Sequence, residues 1–201
     1  MRCLTLAEAL RESGAEVQFV CREHSGNLIE LIRQKEFIVH DLLVPDNFES
    51  ACVSENNLEN EYESWLGTSL EQDAQETITV LQNSNPEWLI VDHYAMGLAW
   101  ESQLRPHVRK IMVIDDLAKR LHDCDMLLDQ NYFIDGESRY EGLLSPTCTK
   151  LLGPQFALLR PEFVEARKHL KPHNGKVQRV FVFFGGTDPD NITGKALEAL
   201  S

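Results

Sequence analysis

The sequence predicts an α/β fold built on a mostly parallel, doubly wound sheet, and three observations predict it. Short apolar runs of strand length alternate with amphipathic stretches of helix length along most of the chain. EWLIVDHY (87–94) reads as a buried-type strand rather than a half-exposed, strictly alternating one. VDHY and the later VIDD carry their polar residues where a strand ends, the rim at which such sheets hold ligands.

The elements follow in order. Arg2 to Ser13 has Leu4, Leu6, Ala7 and Leu10 gathered for one helical face, and Ser13-Gly14 is a helix stop. Met1 and Arg2 offer no side-chain oxygen to the first N–H groups, so the helix starts without a cap and without a strand to feed it. Residues 16–21 alternate as a strand, 25–35 as a helix and 37–43 as a second strand, a β-α-β rhythm. Pro45 to Asn60 is polar, acidic and Asn-rich, the composition of a surface excursion. A helical pattern resumes at 66–82 and ends at Asn-Ser-Asn-Pro. After the strand at 87–94 come a short helix at 97–106 stopped by Pro106, a strand at 110–116 and another at 125–131. From Ser145 the texture changes to short apolar pieces between Pro154, Pro161 and Pro172, read as a crossing segment that ends in a hinge. VQRVFVFFGGTDPDNITGKALEALS (177–201) then gives one strand, a Gly-Gly turn and one helix, the first unit of a second domain.

Composition excludes several classes. No apolar run approaches the ~20 residues of a membrane span, and Glu8, Arg11 and Glu12 interrupt any signal-peptide core. A cytoplasmic location is the expectation. The five cysteines are odd in number and widely spaced, without a CxxC pair, and read as reduced packing residues. A formal net charge of −13, with scattered Lys and Arg, opposes a nucleic-acid backbone as partner. It does not oppose a phosphorylated small molecule, because backbone N–H groups at a helix N-terminus bind phosphate whatever the global charge.

The sharpest local signal is FFGGTDPDNITGKAL (183–197). Gly185-Gly186 lets the backbone turn tightly and approach a ligand, and the helix beginning near Asp188-Pro189 aims its N–H groups at that spot, the geometry of a diphosphate cradle. A plain strand-to-helix turn with Thr187 or Asp188 as N-cap explains the same residues equally well. It is neither a Walker loop nor a GxGxxG. Asp92, His93 and Tyr94, with Asp115 and Asp116, could position a sugar or activate water, against which carboxylates after strands often only cap the next helix and a lone histidine is more often structural. HDCD (122–125) has no matched ligands elsewhere, so neither a metal nor a cofactor is expected. Arg160 follows an apolar run and could reach a phosphate or carboxylate, or pair with Glu162.

Taken together, MRCLTLAEAL, WLGTSLEQDAQET (65–77), VDHY, IDDLAKR with DMLLDQN, LLGPQFALLRPEF and FGGTDPDN resemble the UDP-sugar hydrolases of pseudaminic acid biosynthesis and their spore-coat polysaccharide relatives. The order and spacing of these blocks match along essentially the whole chain. The resemblance implies a glycosyltransferase-B-like architecture. It divides this chain into a Rossmann-like sugar-side domain at 1–153 lacking its first strand, a linker at 154–178, and the start of a UDP-binding domain at 179–201. It implies hydrolysis of UDP-2,4-diacetamido-2,4,6-trideoxy-β-L-altropyranose to UDP and free sugar, with a UDP-sugar as the partner and neither nucleic acid nor membrane.

In that family the base is a histidine in a Gly-x-Gly-His loop just before the Met-Arg-Cys-Leu helix. No residue of this sequence corresponds to it, so no catalytic residue is carried over, and the 201 residues are expected to be an inactive fragment. Carried over are Tyr94 and Arg160 as substrate contacts, and Gly185, Gly186 and Asn191 in the diphosphate region. Asp92 and Asp115 join the substrate-side candidates and Thr187 the diphosphate candidates by position. A glycosyltransferase using a UDP-sugar, or a non-catalytic sugar-nucleotide-binding protein, are the alternatives.

Overall fold

The computed structural model describes residues 1–45, 62, 65–170, 175–177, 179–184, 188 and 190–200. It divides into two units, Met1–Arg160 and Pro161–Ser201. The first unit holds α1 (Arg2–Glu12), β1 (Gln18–Arg22), α2 (Ile29–Gln34), β2 (Ile38–Leu42), α3 (Leu70–Ser84), β3 (Trp88–Val91), α4 (Leu98–Leu104), β4 (Lys110–Ile114), β5 (Met126–Asp129), α5 (Gly136–Arg139) and β6 (Thr149–Leu152). Single 3-10 turns follow α4 at Arg105–His107 and β6 at Pro154–Phe156. All strand pairs are parallel: β1 with β2 in one sheet, and β3-β4-β5-β6 in sequence order in the other. Mixed α/β chains with parallel sheets of this kind are compatible with a Rossmann-like fold.

β4 explains why its sequence is apolar without alternation. Ile111 and Val113 sit in one core cluster and Met112 and Ile114 in another, so helices cover both faces of the strand. On one side Ala74, Ile78 and Leu81 of α3 and Trp100 and Leu104 of α4 pack with Val91, Ile111, Val113 and Leu127. On the other side α1 serves both sheets. Its Leu4 and Ala7 pack with Ile32, Phe37, Phe19 and Val39, while Cys3 and Leu6 pack with Met112, Ile114 and Leu128. A buried ion pair adds a second tie, since Arg22 at the end of β1 reaches Asp73 of α3 at 2.7 Å, and Asp73 accepts from the Trp100 indole at 2.9 Å.

Several boundaries differ from the sequence reading. α3 starts at Leu70 because the Ser69 hydroxyl accepts from the Gln72 N–H, leaving Leu66 to Thr68 as a turn. α2 starts at Ile29, after the Asn27 side chain has taken the Ile29 N–H. β6 falls within the segment that the sequence assigns to a crossing; among the described residues it is an edge strand paired with β5. The expected excursion from Pro45 to Asn60 falls, beyond Pro45, outside the described residues.

In the second unit, α6 (Pro161–Lys168) and α7 (Ile192–Leu200) are formed. The strand expected at 180–184 forms no ladder there, and Val180, Phe181, Phe183 and Phe184 are exposed. α7 begins later than expected. The Asp188 carboxylate accepts from the Ile192 and Thr193 N–H groups at 2.9 Å each, and Asn191 Oδ1 accepts from Gly194 at 3.2 Å. No described helix is long and apolar enough to cross a membrane.

Candidate functional site

Parallel strands end together, so the residues just past β3, β4 and β5 share one rim. Asp92 and Tyr94 follow β3, Asp115 and Asp116 follow β4, and Asn131 follows β5. The first turn of α1 opens at this rim and brings Arg2 into it.

Arg2 is the centre of the polar cluster. Its Nε lies 3.1 Å from each Asp92 carboxylate oxygen, one terminal nitrogen lies 2.6 Å from Asp92 Oδ1, and the other lies 3.7 Å from Asp116. Cys3 donates its thiol proton to Asp92 Oδ2 at 3.0 Å. Burial alone would push the Asp92 carboxyl up; the Arg2 and Cys3 hydrogen bonds and the Arg2 charge together outweigh it and hold Asp92 below its ordinary value. Burial and the Asp92 charge push the Cys3 thiol up, so it stays protonated.

Tyr94 donates its hydroxyl to Asp116 Oδ1 at 2.9 Å, and Asn131 Nδ2 donates to Asp116 Oδ2 at 3.2 Å. Burial and the Asp116 hydrogen bond push the Tyr94 phenol up, so at neutral pH it is a proton donor. The Tyr94 ring forms a triangle with Tyr62 and Trp65, with centroids 5.4 and 6.3 Å away. The cluster therefore offers one aromatic wall, one hydroxyl and a carboxylate–guanidinium pair, a set suited to a hydroxylated or amide-bearing ring.

Asp115 and Asp116 have opposite fates. Asp115 is buried and its oxygens accept from the Ala118 N–H, Arg120 and the Tyr140 hydroxyl, so it presents nothing to the rim. It braces the loop from below, helped by Tyr140 donating to the Asp115 carbonyl and Arg139 to the Asp116 carbonyl. Asp115, expected among the substrate-side candidates, is thus engaged inside the fold, while Asp116 is the carboxylate of this pair that meets Tyr94, Asn131 and Arg2 at the rim. His93 Nδ1 accepts from the Ala95 N–H at 3.1 Å, and burial pushes its imidazole down, so His93 is a neutral turn residue. His122 bonds Glu101 in the interior at 2.7 Å, while Asp123 and Asp125 hold Arg105.

Arg160 is exposed at the end of the first unit, two residues after Leu158, whose N–H is held by Gln130 at 3.1 Å. Gly185, Gly186 and Thr187 lie outside the described residues. Asn191 is described, with its side-chain oxygen engaged by Gly194. Three N–H groups of the first turn of α7 are thus taken by the chain's own Asp188 and Asn191. Sequence reasoning missed Arg2, Asn131, Tyr62 and Trp65. For Arg2 no local signal exists, since its partner Asp92 is ninety residues away.

Fold and rim together define a parallel α/β protein with a polar, aromatic-walled cluster at the carboxyl ends of its strands. Over 119 residues, 59% of this chain, the sequence is 34% identical to a UDP-2,4-diacetamido-2,4,6-trideoxy-beta-L-altropyranose hydrolase of Campylobacter jejuni, of which the match covers 42%. Over 140 residues, 64% of the chain, it is 24% identical to an uncharacterized protein of Methanocaldococcus jannaschii, of which 27% is covered. The chain thus spans less than half the length of these curated relatives. No family model matches it.

Proposed function

We propose that these 201 residues carry the sugar-side half of a UDP-sugar hydrolase acting on a 2,4-diacetamido-2,4,6-trideoxy sugar in pseudaminic acid biosynthesis, a cytoplasmic reaction. The observation that carries the reading is the Arg2–Asp92–Asp116–Tyr94 cluster at the rim, in a chain similar to a protein named for that hydrolysis. In the reaction water attacks the anomeric carbon, the C–O bond to the diphosphate breaks, and UDP and free sugar leave.

On this reading the Tyr94 hydroxyl and the Asp116 carboxylate bind polar groups of the sugar. Arg2 holds Asp92 and Asp116 in register, and Arg160 contacts the substrate from the segment after β6. Residues 1–153 form the sugar-side domain of a glycosyltransferase-B-like enzyme, 154–178 its linker and 179–201 the start of the UDP-binding domain. The diphosphate-side candidates that the family resemblance implies are Gly185, Gly186, Thr187 and Asn191. Oriented N–H groups stabilise the departing charge. The general base is a histidine of a Gly-x-Gly-His loop, which none of the 201 residues supplies, so the 201 residues alone bind without turning over.

The test is release of UDP from the diacetamido-altropyranose nucleotide without an acceptor, by the 201-residue chain and by a polypeptide extended from its genomic reading frame. Equal amounts of UDP and free sugar from the extended polypeptide alone support the reading. Turnover by the 201 residues places the base among them and overturns that part of it. UDP release only with an acceptor identifies a transferase.

A further inference from the structure

We propose that Trp65, backed by Tyr62 and Tyr94, is the stacking platform of the sugar site, and that it selects sugars with an apolar ring face and methyl-bearing substituents. This rests on the UDP-sugar reading above and adds to it the residue that discriminates among sugars.

Trp65 is held at the surface by a fixed backbone. It is 47% exposed, whereas the next residue, Leu66, is 3% exposed and Thr68 is 4% exposed. Gly67 between them adopts φ +73°, and a Cβ there would come 2.4 Å from His24 Cε1. Ser69 then caps α3. On the other side the Trp65 N–H donates to the Tyr62 carbonyl at 3.2 Å. An indole left half in water on so constrained a stretch is not serving as core.

The rings form one edge-to-face and tilted cluster beside the polar groups of the rim. Tyr62 and Trp65 meet edge-to-face with centroids 5.1 Å apart, and Tyr94 closes the triangle. Aromatic rings already in mutual contact lose less side-chain freedom when a ligand lands on them. The hydroxyl of one ring of the triangle donates to Asp116, which Asn131 also holds. An apolar face flanked by planar polar groups matches a pyranose, whose C–H face is apolar and whose substituents form hydrogen bonds. Trideoxy and acetamido substitution enlarges the apolar part, which favours this class over a fully hydroxylated hexose.

Saturation-transfer NMR on the full 201-residue chain tests the proposal, with UDP-2,4-diacetamido-2,4,6-trideoxy-β-L-altropyranose, UDP-glucose and UDP as probes. The expected result is strongest transfer to the sugar methyl and ring protons, weaker binding of UDP-glucose, and about tenfold loss of affinity in Trp65→Ala with most of it restored in Trp65→Phe. Dichroism and melting show whether each variant is folded, and Trp65→Leu, which keeps apolar bulk without a ring face, carries the test with the same expected loss if Trp65→Ala is not. Unchanged affinity and methyl saturation in folded Trp65→Ala overturns the platform and leaves the functional reading standing. No transfer to any probe in the wild type overturns both.

Discussion

Arg2 and Asp92 form a forked ion pair across ninety residues of sequence, with Arg2 Nε 3.1 Å from both carboxylate oxygens and a terminal nitrogen 2.6 Å from one of them. The pair fastens the start of α1 to the end of β3, and through Asp116 to the end of β4. Fold and site therefore share one tie. Arg2→Met removes it and leaves a half-buried carboxylate, so it should lower stability by about 1–3 kcal/mol at pH 7. Asp92 is held below its unfolded value, so its contribution is present above about pH 4 and is lost as pH falls through the folded value. Urea unfolding of both proteins at pH 7 and pH 3.5 should show a smaller difference at the lower pH; a constant difference would remove the ion pair from the explanation.

The two neighbouring carboxylates after β4 should separate in their effects. Asp115→Ala leaves the Ala118 N–H and Arg120 short of a partner, while the Tyr140 hydroxyl keeps the residue-115 carbonyl and Asp129, at a cost of about 1–3 kcal/mol. Asp116→Ala should cost about 1 kcal/mol or less and instead weaken sugar binding. Thermal melts beside ligand titrations decide this, and the reverse pattern would return Asp115 to the site.

Gly67→Ala imposes a left-handed backbone on an L side chain and pushes the His24 ring, which moves because its contact atom is at the ring's far end. A loss of about 1–2 kcal/mol is expected. Because Trp65 is set by this turn, its indole emission should also shift relative to a Trp65→Phe background. An unaltered melt would mean that the turn carries no strain.

Among the described residues β1 pairs only with β2, and β3 only with β4, whereas β4 has a strand on each side. Leu89 and Ile90 of β3 are only half-buried, while Ile111 to Ile114 of β4 are buried. Amides of β1 and β3 should exchange at least about tenfold faster than those of β4. Equal protection in mass-resolved hydrogen exchange would show a partner on those edges.

Strand and helix alternation was legible because each element carries its own periodicity, and the rim was legible because parallel strands end together. β6 was not, since its Thr149 and Lys150 are exposed and only Leu151 and Leu152 reach inward, too short a signal among prolines. Which of Asp115 and Asp116 is buried is not legible in the sequence for a reason of period: consecutive residues at a strand end point to opposite sides, and one-letter identity does not say which side is the interior. The apolar run at 180–184 has strand composition, but a ladder needs neighbours, and none forms among the described residues of its unit. Arg2 and Trp65 entered the site through tertiary contacts that no local pattern announces.

The central claim is that Tyr94 belongs to a sugar site used for UDP-sugar hydrolysis. The most direct measurement is UDP release from the diacetamido-altropyranose nucleotide, without acceptor, by a polypeptide that joins these residues to a Gly-x-Gly-His loop, compared with its Tyr94→Phe variant. The account predicts UDP and free sugar in equal amounts, and a loss of about a hundredfold in Tyr94→Phe at an unchanged melting temperature. No UDP from the parent polypeptide, or full activity in Tyr94→Phe, would contradict it.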